Sequence, residues 1–329
     1  MKLPPALFPI LFATAFATGA SVAETPTARI ANFDGDRLAA ISYTFDDNLR
    51  DQYTVGLPML DAVGFKGTFF VIAGATTDTV EEAEKKQSLK RAWGSICWPE
   101  LKKIAEDGQE IGSHTWSHPN LRNLPPAEVE AQFSKANDAI KQHLGITPIT
   151  LAFPFNASTP GVQKIADKYY VAYRTFQVAT SAKSTAASLN AWADKLVTEK
   201  KWGVMMTHAV GTGYSALTDP EIFRTHLQYV KSHAQDFWVD TFANVARYQK
   251  ERDDAKLAVT PTAGGMTCLL TGTLDPKLYN VPLTIVIDEK AATAVHATRG
   301  GRELPVREEN GFIKVQAAPA PEPVTVTWQ

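Results

Sequence analysis

The feature that most constrains this chain is an alternation of two hydrophobic rhythms between residues 38 and 250. Seven runs rich in Val, Ile, Phe, Tyr and Thr read as strands: Leu38–Phe45, Gly67–Ala73, Glu110–His114, Ile149–Phe155, Tyr170–Phe176, Gly203–His208 and Phe237–Phe242. Helical patterns lie between them. Trp98–Glu106 carries Pro99 in its first turn. Pro126–Leu144 repeats apolar residues at Val129, Phe133, Ala136 and Ile140 and stops at Gly145. Asp219–Ala234 opens with an Asp219 cap, Pro220 and Glu221. This alternation predicts a parallel sheet with right-handed crossovers, and seven such units close more naturally into a barrel than into an open sheet. In such barrels chemistry gathers at the C-terminal ends of the strands.

Reactive side chains fall at those ends. Thr44-Phe45-Asp46-Asp47 closes the first strand, and His114-Thr115-Trp116-Ser117-His118 closes the third. Two imidazoles and two carboxylates suit one divalent cation plus a carboxylate left over as a base. His114 and His118 are expected to face one cation if the backbone between them makes one helical turn. Pro154-Phe155 and His208 mark two further strand ends. His143, His226, His233 and His296 lack such context and read as surface or packing residues.

These motifs resemble those of the polysaccharide deacetylases with a NodB-homology domain, carbohydrate esterase family 4. Thr44-Phe45-Asp46-Asp47 looks like the family's first motif, His114-Thr115-Trp116-Ser117-His118 its second, and Met205-Met206-Thr207-His208 its last, with Met in place of Leu. The resemblance covers residues 38–250. It implies a distorted (β/α)7 barrel of NodB-homology type and hydrolysis of acetyl groups on an acetylated glycan. It also implies Asp47, His114 and His118 as metal ligands, Asp46 as general base and His208 as general acid. The implied oxyanion and substrate contacts come from Pro154 and Phe155, with Met205 and Trp116 as further walls of the acetyl pocket. The ligand set suits Zn²⁺ best, with Co²⁺, Ni²⁺ or Mn²⁺ close behind.

The sequence departs from the family in its third motif, where Ala152 stands two residues before Pro154 in place of the arginine that orients the base. Arg174, at the end of the next strand, is the candidate to supply that cation from a neighbouring position. On that reading, replacing Arg174 with Met costs turnover far more than fold stability. The family's fourth motif, an Asp–Trp signature, has only Asp194 beside Trp192 as a candidate, inside what reads as an ordinary helix; Trp202 or Trp238 then stand in as pocket walls. Trp93, Trp98, Trp116, Phe153, Phe155 and Tyr214 are rim aromatics on which a sugar ring could stack. The charged stretch Thr79–Arg91 reads as a solvated helix face.

The ends of the chain differ from the middle. Lys2, the apolar stretch Ala6–Ala17 and Ser21-Val22-Ala23 read as a signal peptide over residues 1–23, which places the protein outside the cytoplasm, periplasmic or secreted. That stretch is too short and broken to span a membrane, so no integral span is expected after its removal. Residues 24–255 are then the barrel. Residues 256–329 lose the helical rhythm and show short strands separated by Asp275-Pro276, Gly300-Gly301 and Asn310-Gly311, a small all-β C-terminal module expected to lean on the barrel. Cys97 and Cys268 read as two isolated small hydrophobes. A formal net charge of −2 gives no footprint for nucleic acid. Two rivals stay open: an allantoinase-like small-molecule amidohydrolase on the same fold, and a carbohydrate-binding protein whose catalysis has weakened.

Overall fold

A computed structural model of the chain describes Met1 and residues 26–90, 94–290 and 292–329. The signal-peptide reading, Trp93 and the end of the charged stretch at Arg91 lie outside the described residues. The strands are β1 Thr27–Ile30, β2 Ala39–Asp46, β3 Thr68–Val71, β4 Glu110–Ser113, β5 Thr150–Ala152, β6 Ala172–Arg174, β7 Val178–Ala179, β8 Trp202–Thr207, β9 Phe237–Val239, β10 Lys256–Thr262, β11 Gly265–Thr271, β12 Leu283–Asp288, β13 His296–Arg299, β14 Arg302–Glu303, β15 Val306–Glu309, β16 Phe312–Ala317 and β17 Val324–Thr327. The helices are α1 Leu57–Val63, α2 Val80–Lys90, α3 Trp98–Glu106, α4 Pro126–Leu144, α5 Pro160–Ala166, α6 Ala186–Glu199, α7 Pro220–Ser232 and α8 Phe242–Asp254.

The first large sheet is parallel and runs β6-β5-β4-β3-β2-β8-β7, with β9 pairing along the first residues of β2. It is the distorted (β/α)7 barrel that the alternation implied. Its strands are shorter than the sequence runs, and the two-residue β7 went unread because nothing in Val178–Ala179 announces a strand. The described strands form no ladder between β6 and β7, so the sheet curls without closing there.

Alternation along each strand sorts two layers. On β2, Tyr43 and Phe45 pack outward into the main core with Phe69, Ile111, Met205, Leu101 and Phe223. Phe70, Ala152, Val204 and Phe242 form a smaller cluster inside the barrel. Gly112 gives Phe70 its place, since a Cβ there would lie 2.6 Å from the ring. Helix ends follow their sequence signals. The side chain of Asp219 caps α7 by accepting the Glu221 N–H, and Gly145 ends α4 in the left-handed region.

The second and third sheets are antiparallel, β1-β12-β16-β15 and β10-β11-β17-β13-β14. They share one core with Ala40, Trp238, Val245 and Tyr248 of the barrel, so the module does lean on its neighbour. Strand β1, which lies in the stretch assigned to the barrel and was not read as a strand, pairs with β12, Thr27 opposite Asp288. Its edge position lets it continue the module's sheet while the chain after it turns into β2. Strand β10 also went unread, because its Lys-Leu-Ala-Val-Thr-Pro-Thr run leaves most alternate side chains in solvent. The Asn310-Gly311 turn has both residues at positive φ, as a tight hairpin between β15 and β16 requires. Cys97 and Cys268 are buried and unbridged.

His226 is a packing residue, fully buried, between the Tyr43 hydroxyl and the Asn190 side chain. Burial pushes its pKa down to about 4. The unfolded chain therefore binds more protons here between pH 6.5 and 4, so this site's contribution is intact above pH 6.5 and is lost as pH falls. A loss of roughly 3 kcal/mol by pH 4 is expected from this group. Urea unfolding of His226→Gln across that range should show a shallower pH slope than the parent, and an identical slope would refute the assignment.

Candidate active site

The end of β2 explains how two neighbouring carboxylates take different directions. Asp46 is the last extended residue, in line with Thr44, and points into the barrel. Asp47 and Asn48 then adopt φ of 73° and 56°, a left-handed turn that Asp and Asn tolerate best. Asn48, which the sequence reading passed over, secures this turn: its amide accepts the Ile72 N–H at 3.0 Å and donates to the Ile72 carbonyl and the Thr76 hydroxyl.

Asp46 is 2% exposed and Arg174 is 2% exposed. Arg174 reaches across the interior from β6 and meets Asp46 with both terminal nitrogens, Nη1 at 2.8 Å from Oδ1 and Nη2 on Oδ2. Nη1 also donates to the Thr44 hydroxyl at 2.8 Å, which in turn donates to the Met205 carbonyl. Burial works to raise the Asp46 pKa, but the Arg174 charge and its hydrogen bonds outweigh it, so the carboxyl lies below its ordinary value. Arg174 and Ala152 are register partners on adjacent strands.

Asp47 faces the histidines. Its Oδ1 is 3.3 Å from Nε2 of His114 and 3.3 Å from Nε2 of His118. His114 Nδ1 is 2.7 Å from the Ala152 carbonyl, which can only accept, so Nδ1 carries the hydrogen and a neutral ring turns a lone pair toward Asp47. The buried Asp47 Oδ1 has no hydrogen-bond donor. A carboxylate oxygen and two imidazole nitrogens converging this way call for a positive charge between them, a proton or a metal ion. The pKa directions say the same. Burial acts to raise Asp47, yet His114, His118 and His208 hold it at about 2. Burial acts to lower His114, yet Asp47 and Asp46 raise it. The donor set fits a divalent cation, and these residues form the metal-sized group among the described residues.

The two histidines do not sit on a helical turn as expected. Residues 114–118 form a loop in which Thr115 and His118 have φ of 71° and 58°. The Thr115 hydroxyl accepts the His118 N–H at 3.0 Å and holds the bend. His208 follows β8 with Nε2 3.8 Å from Asp47 Oδ2, so it joins the same cleft.

The cleft measures about 660 Å³ and is lined by Asp46, Asp47, His114, His118, Phe153, Phe155, Asn156, Met206, His208 and Tyr214. Residues 36–173 match the family model for polysaccharide deacetylase. This part of the chain is similar to polysaccharide deacetylases. The match stops one residue before Arg174 and well before His208, and the structure brings both to the site. A gellan lyase from a Bacillus species is 24% identical over 89% of this chain but only 13% of its own length. The peptidoglycan-N-acetylglucosamine deacetylase of Listeria monocytogenes is 26% identical over 59% of this chain and 41% of its own. The chain therefore spans less than half the length of these curated relatives. A solved structure assigned as a polysaccharide deacetylase from Mycobacterium smegmatis shares the fold with a TM-score of 0.51 at 13% identity, over 71% of this chain and 98% of that one.

The cleft corrects several expected walls. Met205 faces outward into the core and Met206 lines the cleft instead; counting back by two from His208 gives that parity. Trp116 lies against Gly74, where a Cβ would come 2.6 Å from its carbonyl oxygen, and it does not line the cleft. Pro154 is buried beneath the cleft, and Phe155 stands at its wall, 65% exposed, with φ of 58°. Trp98 stacks on His143. Asp194 accepts the Tyr229 hydroxyl and Trp192 packs near His226, both away from the cleft. Trp202 and Trp238 sit toward the opposite end of the barrel, at the start of β8 and in β9 beside Ala40.

The buried fork revises the expectation for Arg174. Arg174→Met strands Asp46 as an unpaired buried carboxylate, which costs about 3–5 kcal/mol of stability as well as turnover. The Asp46 pKa should rise, moving the acid limb of kcat/KM to higher pH. Ala152→Arg in an Arg174→Ala background should return that limb toward its original position, because the two positions are register partners. A pH profile that ignores all three variants would sink the pairing as a functional contact.

Proposed function

We propose that this is an exported, metal-dependent hydrolase that removes N- or O-linked acetyl groups from polysaccharides or oligosaccharides. The observation that carries the reading is one cleft in which Asp46 is kept ionised by Arg174 directly beside the Asp47, His114 and His118 convergence. Asp47, His114 and His118 would hold a divalent cation, Zn²⁺ foremost and Co²⁺, Ni²⁺ or Mn²⁺ as alternatives, which would supply Lewis acidity to the acetyl carbonyl and lower the pKa of water. Asp46 would take the proton of a water in the cleft as the water oxygen attacks the carbonyl carbon. His208 gives a proton to the departing nitrogen or oxygen as its bond to the acetyl carbon breaks, leaving acetate and a free amine or hydroxyl. The backbone at Phe155 lies at the cleft wall, suited to the developing oxyanion. Phe155 and Tyr214 offer faces for a sugar ring.

The names of two matching relatives, the Listeria peptidoglycan-N-acetylglucosamine deacetylase and a chitin deacetylase from a Pestalotiopsis species, favour acetylated glycans. The lyase name belongs to a protein of which the match spans 13%, and it does not carry over to this cleft. Export rests on the basic, apolar and small-residue order of residues 1–23. No helix among the described residues is long and apolar enough to cross a membrane. In this reading residues 24–255 form the deacetylase unit and 256–329 an accessory module that also takes up β1.

The test is acetate release from acetylxylan, chitin oligomers, poly-N-acetylglucosamine and peptidoglycan. Release should vanish with chelator, return with Zn²⁺, and be absent in Asp46→Asn while that variant still binds metal. No acetate from any of these, with metal bound and the fold intact, rejects the reading.

A further inference from the structure

His208 lacks the kind of anchor that His114 has. Its Nδ1 is buried with no hydrogen-bonding group to meet it among the described residues. At 3.8 Å, its contact with Asp47 is too long for a hydrogen bond. Tyr214 packs on the ring at 4.9 Å between centroids. The direction of the imidazole is therefore set by the backbone at 208 and by the loop 209–217 that carries Tyr214.

Two consecutive residues just after the Asp-Asp motif hold both. Gln52, 1% exposed, donates from Nε2 to the Asp46 carbonyl and to the His208 carbonyl, each at 2.6 Å. One amide thus ties the end of β2 to the residue that follows β8. Asp51 accepts the Val210 N–H at 2.9 Å and the Thr212 N–H at 3.2 Å through Oδ2. The loop is closed at its base by Gly211 N–H on the Leu217 carbonyl and Leu217 N–H on the Ala209 carbonyl. Burial lifts the Asp51 carboxyl to about 6 despite these donors, and its Oδ1 is buried without a partner. A carboxylate kept on such terms is poor value for stability, and its consequence lies in the loop it grips. Gln52–Gly56 is a π-helical turn, a distortion frequent at functional sites.

We propose that Asp51 and Gln52 are positioning residues that fix the His208 imidazole and the Tyr214 ring against the Asp46–Asp47 half of the cleft. The proposal rests on the deacetylase reading, in which His208 protonates the leaving group. Its signature is dependence on the leaving group. An aryl acetate expels a phenolate that needs no proton, whereas a sugar amine or alkoxide does.

The experiment compares Gln52→Met, Asp51→Ala and Asp51→Asn with the parent, on the sugar acetyl substrate the parent cleaves and on 4-nitrophenyl acetate. Gln52→Met and Asp51→Ala should lower kcat on the sugar substrate about 10²-fold, the size of a lost general acid, and change the aryl acetate by less than about twofold. Asp51→Asn keeps an acceptor oxygen and should recover part of the loss. In parallel, amide hydrogen exchange over 208–217 should quicken about tenfold in Gln52→Met and Asp51→Ala, with Ala39–Phe45 unchanged. Equal losses on both substrates, unaltered sugar turnover, or exchange that quickens throughout the barrel or not at all over 208–217 would overturn the proposal. If the parent releases acetate from neither substrate, the deacetylase reading fails; exchange quickened only over 208–217 then still supports the positioning pair, and unchanged exchange removes it.

Discussion

Two adjacent carboxylates buried at the end of one strand govern the rest of the site. An ionised carboxylate in a barrel interior is costly unless it is paired and hydrogen-bonded. Asp46 is met by the Arg174 fork. Asp47 is met by two imidazoles and a place for a cation. Each solution imposes backbone that most residues avoid: left-handed Asp47 and Asn48 on one side, Thr115 and His118 on the other. Such conformations cost on the order of 1–3 kcal/mol each and persist only where the surroundings over-determine them. Asn48 and Thr115 do that here, each spending its side chain on the strained loop.

The arginine shows how a site can keep its electrostatics while moving a residue. A guanidinium rising from position 152 on β5 would stand beside the Asp46 carboxylate, and the same group rises from 174 on β6, one strand over and in register. Ala152 leaves the space that the longer approach requires, and the ring of Phe70 lies 5.2 Å from the guanidinium carbon. What Asp46 meets is unchanged in kind: a fork with two parallel donors, which lysine could not reproduce.

Much of this was legible because burial and chemistry coincide at strand ends. The strand rhythm placed Asp46, Asp47, His114 and His208 on one rim, and the missing third-motif arginine directed attention to Arg174. The losses have physical reasons. Met205 and Met206 are equally apolar, and only the parity of the strand tells inward from outward. Trp116 carries the same rim position in sequence as its neighbours, but Gly74 draws it behind the loop. The bend between His114 and His118 looked helical by spacing, although Thr115 and Ser117 favour a turn built on side-chain hydrogen bonds. Strand β1 is an edge piece whose partner β12 lies far along the chain, and β10, an edge strand paired with the adjacent β11, leaves most of its side chains in solvent, so neither shows the buried pattern of a core strand.

The cleft is built in two unequal halves. Asp46, Asp47 and His114 stand at or just beyond the ends of buried strands, supported by the Arg174 side chain of β6, by Ile72 just beyond β3 through Asn48, and by the Ala152 carbonyl of β5. His208 and Tyr214 belong to a loop joined to that half through Asp51 and Gln52. Among the described residues, the β module lines no part of the cleft. It packs on Ala40, Trp238, Val245 and Tyr248, at the start of β2, in β9 and along α8, while the chemistry lies beyond the other end of β2. The module thus meets the barrel at the starts of β2, β8 and β9 and along α8, and β2 is buried throughout and paired along both edges. Strand β2 holds Asp46 and Asp47 on a buried, doubly paired strand, whereas His208 and the 209–217 loop depend for their place on the two side chains of Asp51 and Gln52.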